Sequence, residues 1–138
     1  MLFKAFFLAM KAHRGQKDKA GRAYIWHPLF VFFHVKGSKK KQVALLHDVV
    51  EDAPYTLEML ANRGFSDEVI KAVDAITKRK GEPYKAYLDR VKSNSIAIDV
   101  KIADLKHNSE LKRLKIVTEK DIERTNKYKI ALNYLNKR

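Results

Sequence analysis

The sequence contains no cysteine, three prolines and five glycines among its 138 residues. Without cysteine there are no disulfides and no thiolate metal sites. Any metal ion must therefore be held by His, Asp or Glu, which favour harder or borderline divalent ions such as Mn, Mg, Fe or Zn. No apolar run approaches the about 20 residues of a membrane span. The length suits one domain, and we expect a single domain over residues 1–138 in a cytoplasmic location.

Acidic residues are scarce relative to basic ones. Sixteen Asp and Glu stand against 29 Lys and Arg, which gives a formal net charge of +13. This excess favours a polyanionic partner, such as a nucleotide, a nucleic acid or an acidic surface, and does not choose among them. The apolar run from Ala5 to Met10 is short for a signal peptide. We interpret it as part of an amphipathic first helix.

The spacing of apolar residues predicts an all-α bundle of about eight helices. Thr56, Ser66 and Thr118 are expected to cap helices, and Thr118 with Asp121 approximates a capping box. The stretch SIAIDVKIAD, residues 95–104, alternates briefly like a strand, but its pattern continues beyond strand length and favours a helix. The expected helices cover residues 2–14, 25–36, 39–51, 56–62, 66–78, 83–92, 94–113 and 118–136.

The stretch ALLHDVVED, residues 44–52, leads from an apolar run directly into His47, Asp48, Glu51 and Asp52. Because burying charge is costly, such a cluster is either a solvated helix end or the neighbour of a bound positive charge. On a continuous helix, Glu51 shares a face with His47 and Asp48, four and three residues before it.

Two other stretches carry side chains of the same kind. His27 lies in WHP at the start of the second helix, and Asp104 lies in KIADLKHN within the long helix. Each of these residues alone has an ordinary structural explanation, as a cap or a surface group. Two His and two Asp from three separate helices, however, form a set that can hold one divalent ion.

Four segments, taken together, resemble a known family. The sequence is similar to the HD superfamily of metal-dependent phosphohydrolases, and within it to the hydrolase domain of the RelA/SpoT family and its small stand-alone alarmone hydrolases. The segments come in the order and spacing of that family, and the resemblance covers about residues 3–135. They are AHRGQKDKAGRAYIWHP (12–28), VALLHDVVEDAPYTLEML (43–60), ITK (76–78) and VKIADLKHN (100–108).

The resemblance implies roles for individual residues. The family's metal pattern maps onto four residues and implies a manganese-type divalent ion. The acidic pair after the HD dipeptide implies that Glu51 and Asp52 position or activate the attacking water. Residues implied on the substrate side are Lys19, Tyr24 and Asn108. The implied metal ligands are His27, His47, Asp48 and Asp104.

The activity implied by the resemblance is removal of the 3′-pyrophosphate from guanosine tetra- or pentaphosphate, giving GDP or GTP. A first alternative keeps the metal chemistry but changes the substrate to another nucleotide or phosphorylated metabolite. A second alternative is a non-catalytic, basic nucleic-acid-binding module. Against the second stand the retained ligand positions and the absence of a helix-turn-helix or stacking-aromatic pattern. We therefore expect a nucleotide substrate, and neither a nucleic-acid nor a membrane partner.

The sequence departs from the family pattern at the position of a base-stacking arginine. In the family's R-K-x-G segment, Asp18 takes the place of the arginine and Lys19 that of the lysine. An acid cannot form the cation–π contact with a guanine base. Either Arg14, Lys17 or Arg22 supplies that contact, or the base is recognised differently. The family's ADRLHN is ADLKHN here, which removes a second arginine.

Overall fold

The computed structural model describes residues 1–52 and 54–138; Ala53 and the side chain of Asp52 lie outside the described part. The all-α prediction is confirmed: the described residues form nine α-helices and one turn of 3₁₀ helix, with an isolated β-bridge between Lys17 and Ala23 and no strand. The helices are α1 (Leu2–Ala12), α2 (Trp26–Phe33), α3 (Ser38–Leu46), α4 (Val49–Asp52), α5 (Leu57–Asn62), α6 (Asp67–Ile76), α7 (Tyr84–Lys92), α8 (Ser95–Asn108) and α9 (Glu119–Asn136); the 3₁₀ turn is Leu111–Arg113.

The helix α8 is the centre of the bundle. It contacts α2, α3, α6, α7 and α9. Its sequence is apolar on most sides, which is the pattern of a helix surrounded by others. Val100 and Leu105 are fully buried in it, and so is most of Asp104. Because α2, α3 and α8 all pack against one another, side chains from these three helices can meet at a common point.

Several helices end earlier than predicted, and two of these differences bear on the site. The helix α3 ends at Leu46, so His47 and Asp48 form a turn before the short α4. The predicted continuous helix over residues 39–51, on which Glu51 was expected to share a face with them, was therefore wrong. The expected helix over residues 94–113 ends at Asn108 and is followed by the separate 3₁₀ turn, so Leu111 is not part of α8.

The predicted caps are confirmed. The hydroxyl of Thr56 accepts from the backbone N–H of Met59, and the hydroxyl of Ser66 accepts from that of Val69. Thr118 and Asp121 form a complete capping box at the start of α9. These bonds satisfy N–H groups that have no partner within the helix.

We expect acid to weaken the start of α9. The backbone N–H of Thr118, the guanidinium of Arg124 and the hydroxyl of Thr118 together lower the pKa of Asp121 to about 2. A carboxyl group whose pKa is lower in the folded state stabilises the fold above its unfolded value of about 4, and this contribution is lost as the pH falls through the folded value.

Urea unfolding of the wild type and Asp121→Asn between about pH 5 and about pH 2 measures this effect. The wild type should take up about one proton more on unfolding than the variant in that range. Glu119→Gln, an exposed acid in the same turn, is the matched control. An equal pH response in both variants would contradict a specific contribution from the capping box.

None of the described helices combines the length and the hydropathy that a membrane span requires. The single domain over residues 1–138 and the cytoplasmic location stay predictions.

Candidate metal centre

Three buried side chains from three helices meet at one point. His27 lies in the first turn of α2, His47 directly follows α3, and Asp104 lies in α8. Their ligand-capable atoms all lie within 4.8 Å of one another. The Oδ1 atom of Asp104 is 2.7 Å from Nε2 of His27 and 3.3 Å from Nε2 of His47. This oxygen is the point on which both imidazoles converge.

Asp48 completes the set of ligands predicted from the sequence. Its Oδ2 atom lies 3.2 Å from Nε2 of His47 and 3.7 Å from Nε2 of His27. The hydroxyl of Tyr24 donates a hydrogen bond of 2.5 Å to the same oxygen and so fixes the direction of the carboxylate. Two imidazole nitrogens and two carboxylate oxygens therefore face one small volume.

The hydrogen bonding of His47 requires positive charge in that volume. Its Nδ1 atom lies 2.6 Å from the carbonyl oxygen of Ala44. A carbonyl only accepts, so Nδ1 carries a hydrogen, and the neutral tautomer then presents a lone pair on Nε2. That lone pair faces carboxylate oxygens of Asp48 and Asp104, a repulsive arrangement unless His47 is protonated or a cation lies between them.

The electrostatics of the site agree with this requirement. Burial lowers the pKa of His47, but the adjacent charges of Asp48 and Asp104 and hydrogen bonds to both outweigh it, so this pKa is raised well above its usual value. Burial raises the pKa of Asp104, yet Lys101 and the two imidazoles hold it well below its usual value. A site of two ionised carboxylates and two imidazole nitrogens fits a hard or borderline divalent cation.

His107 contacts the Nδ1 atom of His27, while Nε2 of His27 faces Asp104. The Nδ1 atoms of the two rings are 2.7 Å apart, and the rings stack with centroids 5.0 Å apart. Burial and the charge of Arg113 lower the pKa of His107 to about 4, so this ring is neutral at pH 7 and able to accept a hydrogen bond. When Nδ1–H of His27 donates to His107, Nε2 of His27 is left as a lone pair directed into the site.

Lys101 contacts the other side of Asp104. Its Nζ lies 2.8 Å from Oδ2 of Asp104, in a side chain only 15% exposed, and the ammonium also lies 5.4 Å from the centre of the Tyr87 ring. This pair occupies one oxygen of Asp104 and leaves Oδ1 directed at the two imidazoles. The buried charges of Lys101 and Asp104 compensate each other.

A cavity of about 300 Å³ opens beside the candidate metal centre. His27, Tyr24 and Asn108 are among its lining residues, and Nδ2 of Asn108 donates to Oδ1 of Asp104 over 3.2 Å. The three residues predicted on the substrate side, Lys19, Tyr24 and Asn108, all line this cavity. Its other charged lining residues are Lys17, Asp18, Glu110, Arg113 and Arg124.

The chain is similar to several known proteins. A protein of Streptomyces coelicolor named GTP pyrophosphokinase is 37% identical over 123 residues, which are 80% of this chain and 14% of that protein. A protein of Spiroplasma citri named guanosine-3′,5′-bis(diphosphate) 3′-pyrophosphohydrolase is 35% identical over 121 residues, 76% of this chain and 16% of that protein. The bifunctional (p)ppGpp synthase/hydrolase SpoT of Escherichia coli is 30% identical over 122 residues, 78% of this chain and 17% of that protein. No protein-family model matches the sequence.

A solved structure of a metazoan ortholog of SpoT, described as hydrolysing ppGpp, superposes with a TM-score of 0.80 and 21% identity, over 99% of this chain and 85% of that one. This likeness establishes the fold. This chain is an HD-type domain of the RelA/SpoT family. It spans less than a fifth of the length of the three curated relatives described above.

The main departure from the RelA/SpoT pattern is Asp18, which takes the place of the family's base-stacking arginine. In the structure, Asp18 forms hydrogen bonds within its own loop. Its Oδ1 atom accepts from the backbone N–H groups of Ala20 and Arg22, at 2.9 and 3.0 Å. The carboxylate thus shapes its own loop. Of the three substitutes named from the sequence, Lys17 lines the cavity beside the site, Arg14 lines a different cavity, and the Arg22 guanidinium lies 5.4 Å from the centre of the Trp26 ring.

The acidic pair of the RelA/SpoT pattern lies on α4. Glu51 is exposed, lies in the helix that follows the turn of His47 and Asp48, and acts electrostatically on Tyr87, the ring next to Lys101. The side chain of Asp52 lies outside the described residues. The catalytic roles of both acids stay predictions.

Sequence reasoning missed three residues near the site: Lys101, Arg113 and Arg124. The signal for Lys101 was its place three residues before Asp104 on a helix too apolar to expose it. No comparable signal exists for Arg113 and Arg124, because the loop and the helix that carry them reach the cavity only through the fold of the whole chain.

We expect His107→Ala to weaken metal binding by about 10- to 100-fold, because the ring that orients a ligating His is lost. Titration of metal-stripped protein with Mn²⁺ by calorimetry measures the affinity. His34→Ala is the matched control, since His34 stacks on the same Phe30 ring as His107 and makes no contact with His27. An unchanged Mn²⁺ affinity in His107→Ala would contradict the orienting role.

Proposed function

We propose that this domain is a metal-dependent hydrolase that removes pyrophosphate from the ribose 3′ position of guanosine tetra- or pentaphosphate. Water attacks the phosphorus next to the ribose, the bond to the 3′ oxygen breaks, and GDP or GTP and pyrophosphate result. The observation that carries the proposal is the convergence of His27, His47 and Asp104 beside a cavity with a basic lining. The activity for which the Spiroplasma citri relative is named supports the choice of substrate.

The ligands in this proposal are His27, His47, Asp48 and Asp104, and the ion is Mn²⁺. Mixed imidazole and carboxylate donors suit manganese, although the same donors accept zinc and iron. A divalent ion at this position supplies Lewis-acid activation of water and of a phosphoryl oxygen.

The protein's own groups perform the remaining tasks. Tyr24 holds Asp48 in place through its hydroxyl, and Asn108 holds Asp104 from the substrate side. Glu51 and Asp52 orient the attacking water and accept its proton, a role that suits carboxylates placed next to a site of this kind. Lys19 and the other cations of the cavity compensate the negative charge of the diphosphates.

The test is release of pyrophosphate from guanosine tetraphosphate by purified, metal-stripped protein with added Mn²⁺. Asp48→Asn is run in parallel, together with a panel of other nucleotides and phosphorylated metabolites. Mn²⁺-dependent release that disappears in the variant would support both the substrate and the site. Turnover of another compound alone would support the metal-dependent hydrolysis and replace guanosine tetraphosphate as the substrate. The acid at Asp18, in place of the base-stacking arginine, favours this outcome. No bound metal and no turnover, with steeply salt-dependent binding of DNA, would favour the nucleic-acid-binding alternative.

A further inference from the structure

The lining of the cavity beside the candidate metal centre includes an arginine, Arg113, that lies next to an acid, Asp18. We infer that Arg113 binds a phosphate group of the substrate in this cavity. This inference rests on the proposed function and adds a substrate-binding residue that the family motifs do not include. Three features carry it: the direction of the Asp18 carboxylate, the incomplete pairing of Arg113, and the charge of the surrounding wall.

The two oxygens of Asp18 have separate roles. Oδ1 is engaged by two backbone N–H groups of its own loop, while Oδ2 lies 3.6 Å from Nη1 of Arg113. The carboxylate therefore shapes the loop with one oxygen and directs the other to Arg113 of the 3₁₀ turn. The side chain of Asp18 is 11% exposed and that of Arg113 is 22% exposed, so this pair lies largely inside the protein.

Arg113 is incompletely paired in this arrangement. Its Nη1 is 3.6 Å from Asp18, and its Nε is 3.8 Å from Oε2 of Glu110. Both distances exceed those of a direct N–H···O hydrogen bond. The Nε atom is buried and has no hydrogen-bond partner within the described part of the chain. A guanidinium has five N–H donors, and two acids at these distances attract it without satisfying them.

A phosphate group supplies the acceptors that Arg113 lacks. Arginine binds phosphate through two parallel N–H···O bonds, which are charge-assisted and stronger than bonds between neutral groups. The alternatives on the same wall are less suitable: Arg124 already binds Asp121 of its own helix, and Lys17 and Lys19 are exposed. Arg113 is thus the partly buried cation of this cavity with unmet donors.

The acids nearest Arg113 are Asp18 and Glu110, neither of which belongs to the candidate metal centre, and this indicates which phosphate it binds. The cleaved diphosphate must lie at the metal centre, next to His27 and Asn108. The cations Lys17, Lys19, Arg113 and Arg124 line the same cavity against the acids Asp18 and Glu110, so the wall carries a positive excess. A substrate with two separate diphosphates can place the uncleaved one against this wall, and we assign it to Arg113.

The test compares Arg113→Gln with Arg113→Lys and, as the control, Lys112→Gln, an exposed cation of the same 3₁₀ turn that does not line the cavity. Hydrolysis of guanosine tetraphosphate with Mn²⁺ gives KM and kcat. We expect KM to rise about 10-fold or more in Arg113→Gln and less in Arg113→Lys. We expect kcat to change by less than about 3-fold, because Arg113 is expected to bind the substrate equally well in the ground state and in the transition state. Asp18→Asn should lower KM, since its amide oxygen can still accept the loop N–H bonds while the charge that competes with phosphate is gone.

Equilibrium binding to metal-stripped protein identifies the group that is recognised and does not depend on turnover. We expect Arg113→Gln to weaken binding of GDP and inorganic pyrophosphate and to leave binding of guanosine unchanged. Equal loss for guanosine, or an unchanged KM, would overturn the assignment. If the wild type does not hydrolyse guanosine tetraphosphate, the proposed function fails, while the pyrophosphate comparison still decides the role of Arg113. Circular dichroism and Mn²⁺ affinity identify a variant that has failed to fold.

Discussion

Asp104→Asn is expected to abolish metal binding and, with it, hydrolysis. Oδ1 of Asp104 is the atom on which both imidazoles converge, at 2.7 and 3.3 Å. Loss of its charge should reduce Mn²⁺ affinity by more than about 100-fold, since removing a ligand costs more than removing a ligand's hydrogen-bond partner. Activity at fixed Mn²⁺ should fall in proportion to occupancy. Calorimetry and pyrophosphate release measure the two effects.

The same substitution has a second consequence, because Asp104 also compensates Lys101. Breaking a buried ion pair by removing one partner costs about 3–5 kcal/mol, as it leaves the other charge buried alone. The double variant Lys101→Met with Asp104→Asn removes both charges and should regain most of this stability without regaining Mn²⁺ affinity. Urea unfolding of both variants thus separates the loss of the metal from a loss of the fold.

Asp99→Asn is the matched control on the same helix, since Asp99 pairs with Lys40 and Arg138 away from the site. Hydrolysis by Asp104→Asn within about tenfold of the wild type would contradict a metal centre built on this carboxylate; removal of a single ligand is expected to cost far more.

Glu51→Gln should impair catalysis while the metal remains bound. General acid–base groups contribute about 10²- to 10⁴-fold to rate, so we expect kcat to fall by that order. Glu51 follows the metal-site turn on α4 and is exposed, and it is not among the buried groups that converge on the metal point. Mn²⁺ affinity should therefore change by less than about tenfold, which is the smallest loss expected when a group that supports a metal ligand is removed.

The measurements are kcat and Mn²⁺ affinity on the same preparation. Glu58→Gln, an exposed acid in the first turn of α5, removes the same charge outside the site. If Glu51→Gln keeps wild-type kcat, the proton acceptor is a different group, and Asp52 is the next candidate. If it loses Mn²⁺ instead, Glu51 belongs to the metal site and not to the proton transfer.

Local signals in the sequence were sufficient for the helix starts. Thr56, Ser66 and Thr118 cap helices as predicted, because a cap depends on residues only three positions apart. The ends of α3 and α8 were not predictable in the same way. The segment after Asn108 leaves the helix, and its Arg113 lies beside Asp18 in a loop far away in the sequence, a contact that helical periodicity does not indicate.

The sequence by itself determined the all-α class, the capped helix starts, the four side chains that meet at the candidate metal centre and the family to which the chain belongs. These follow from local periodicity, from short-range capping and from motifs whose residues are specific in combination. Only the tertiary structure decided which other side chains hold these four in position. His27 and His107 are 80 residues apart, and Lys101 is buried against Asp104 because α8 lies at the centre of the bundle. Pairing of this kind depends on which helices pack together, and packing is a property of the whole chain.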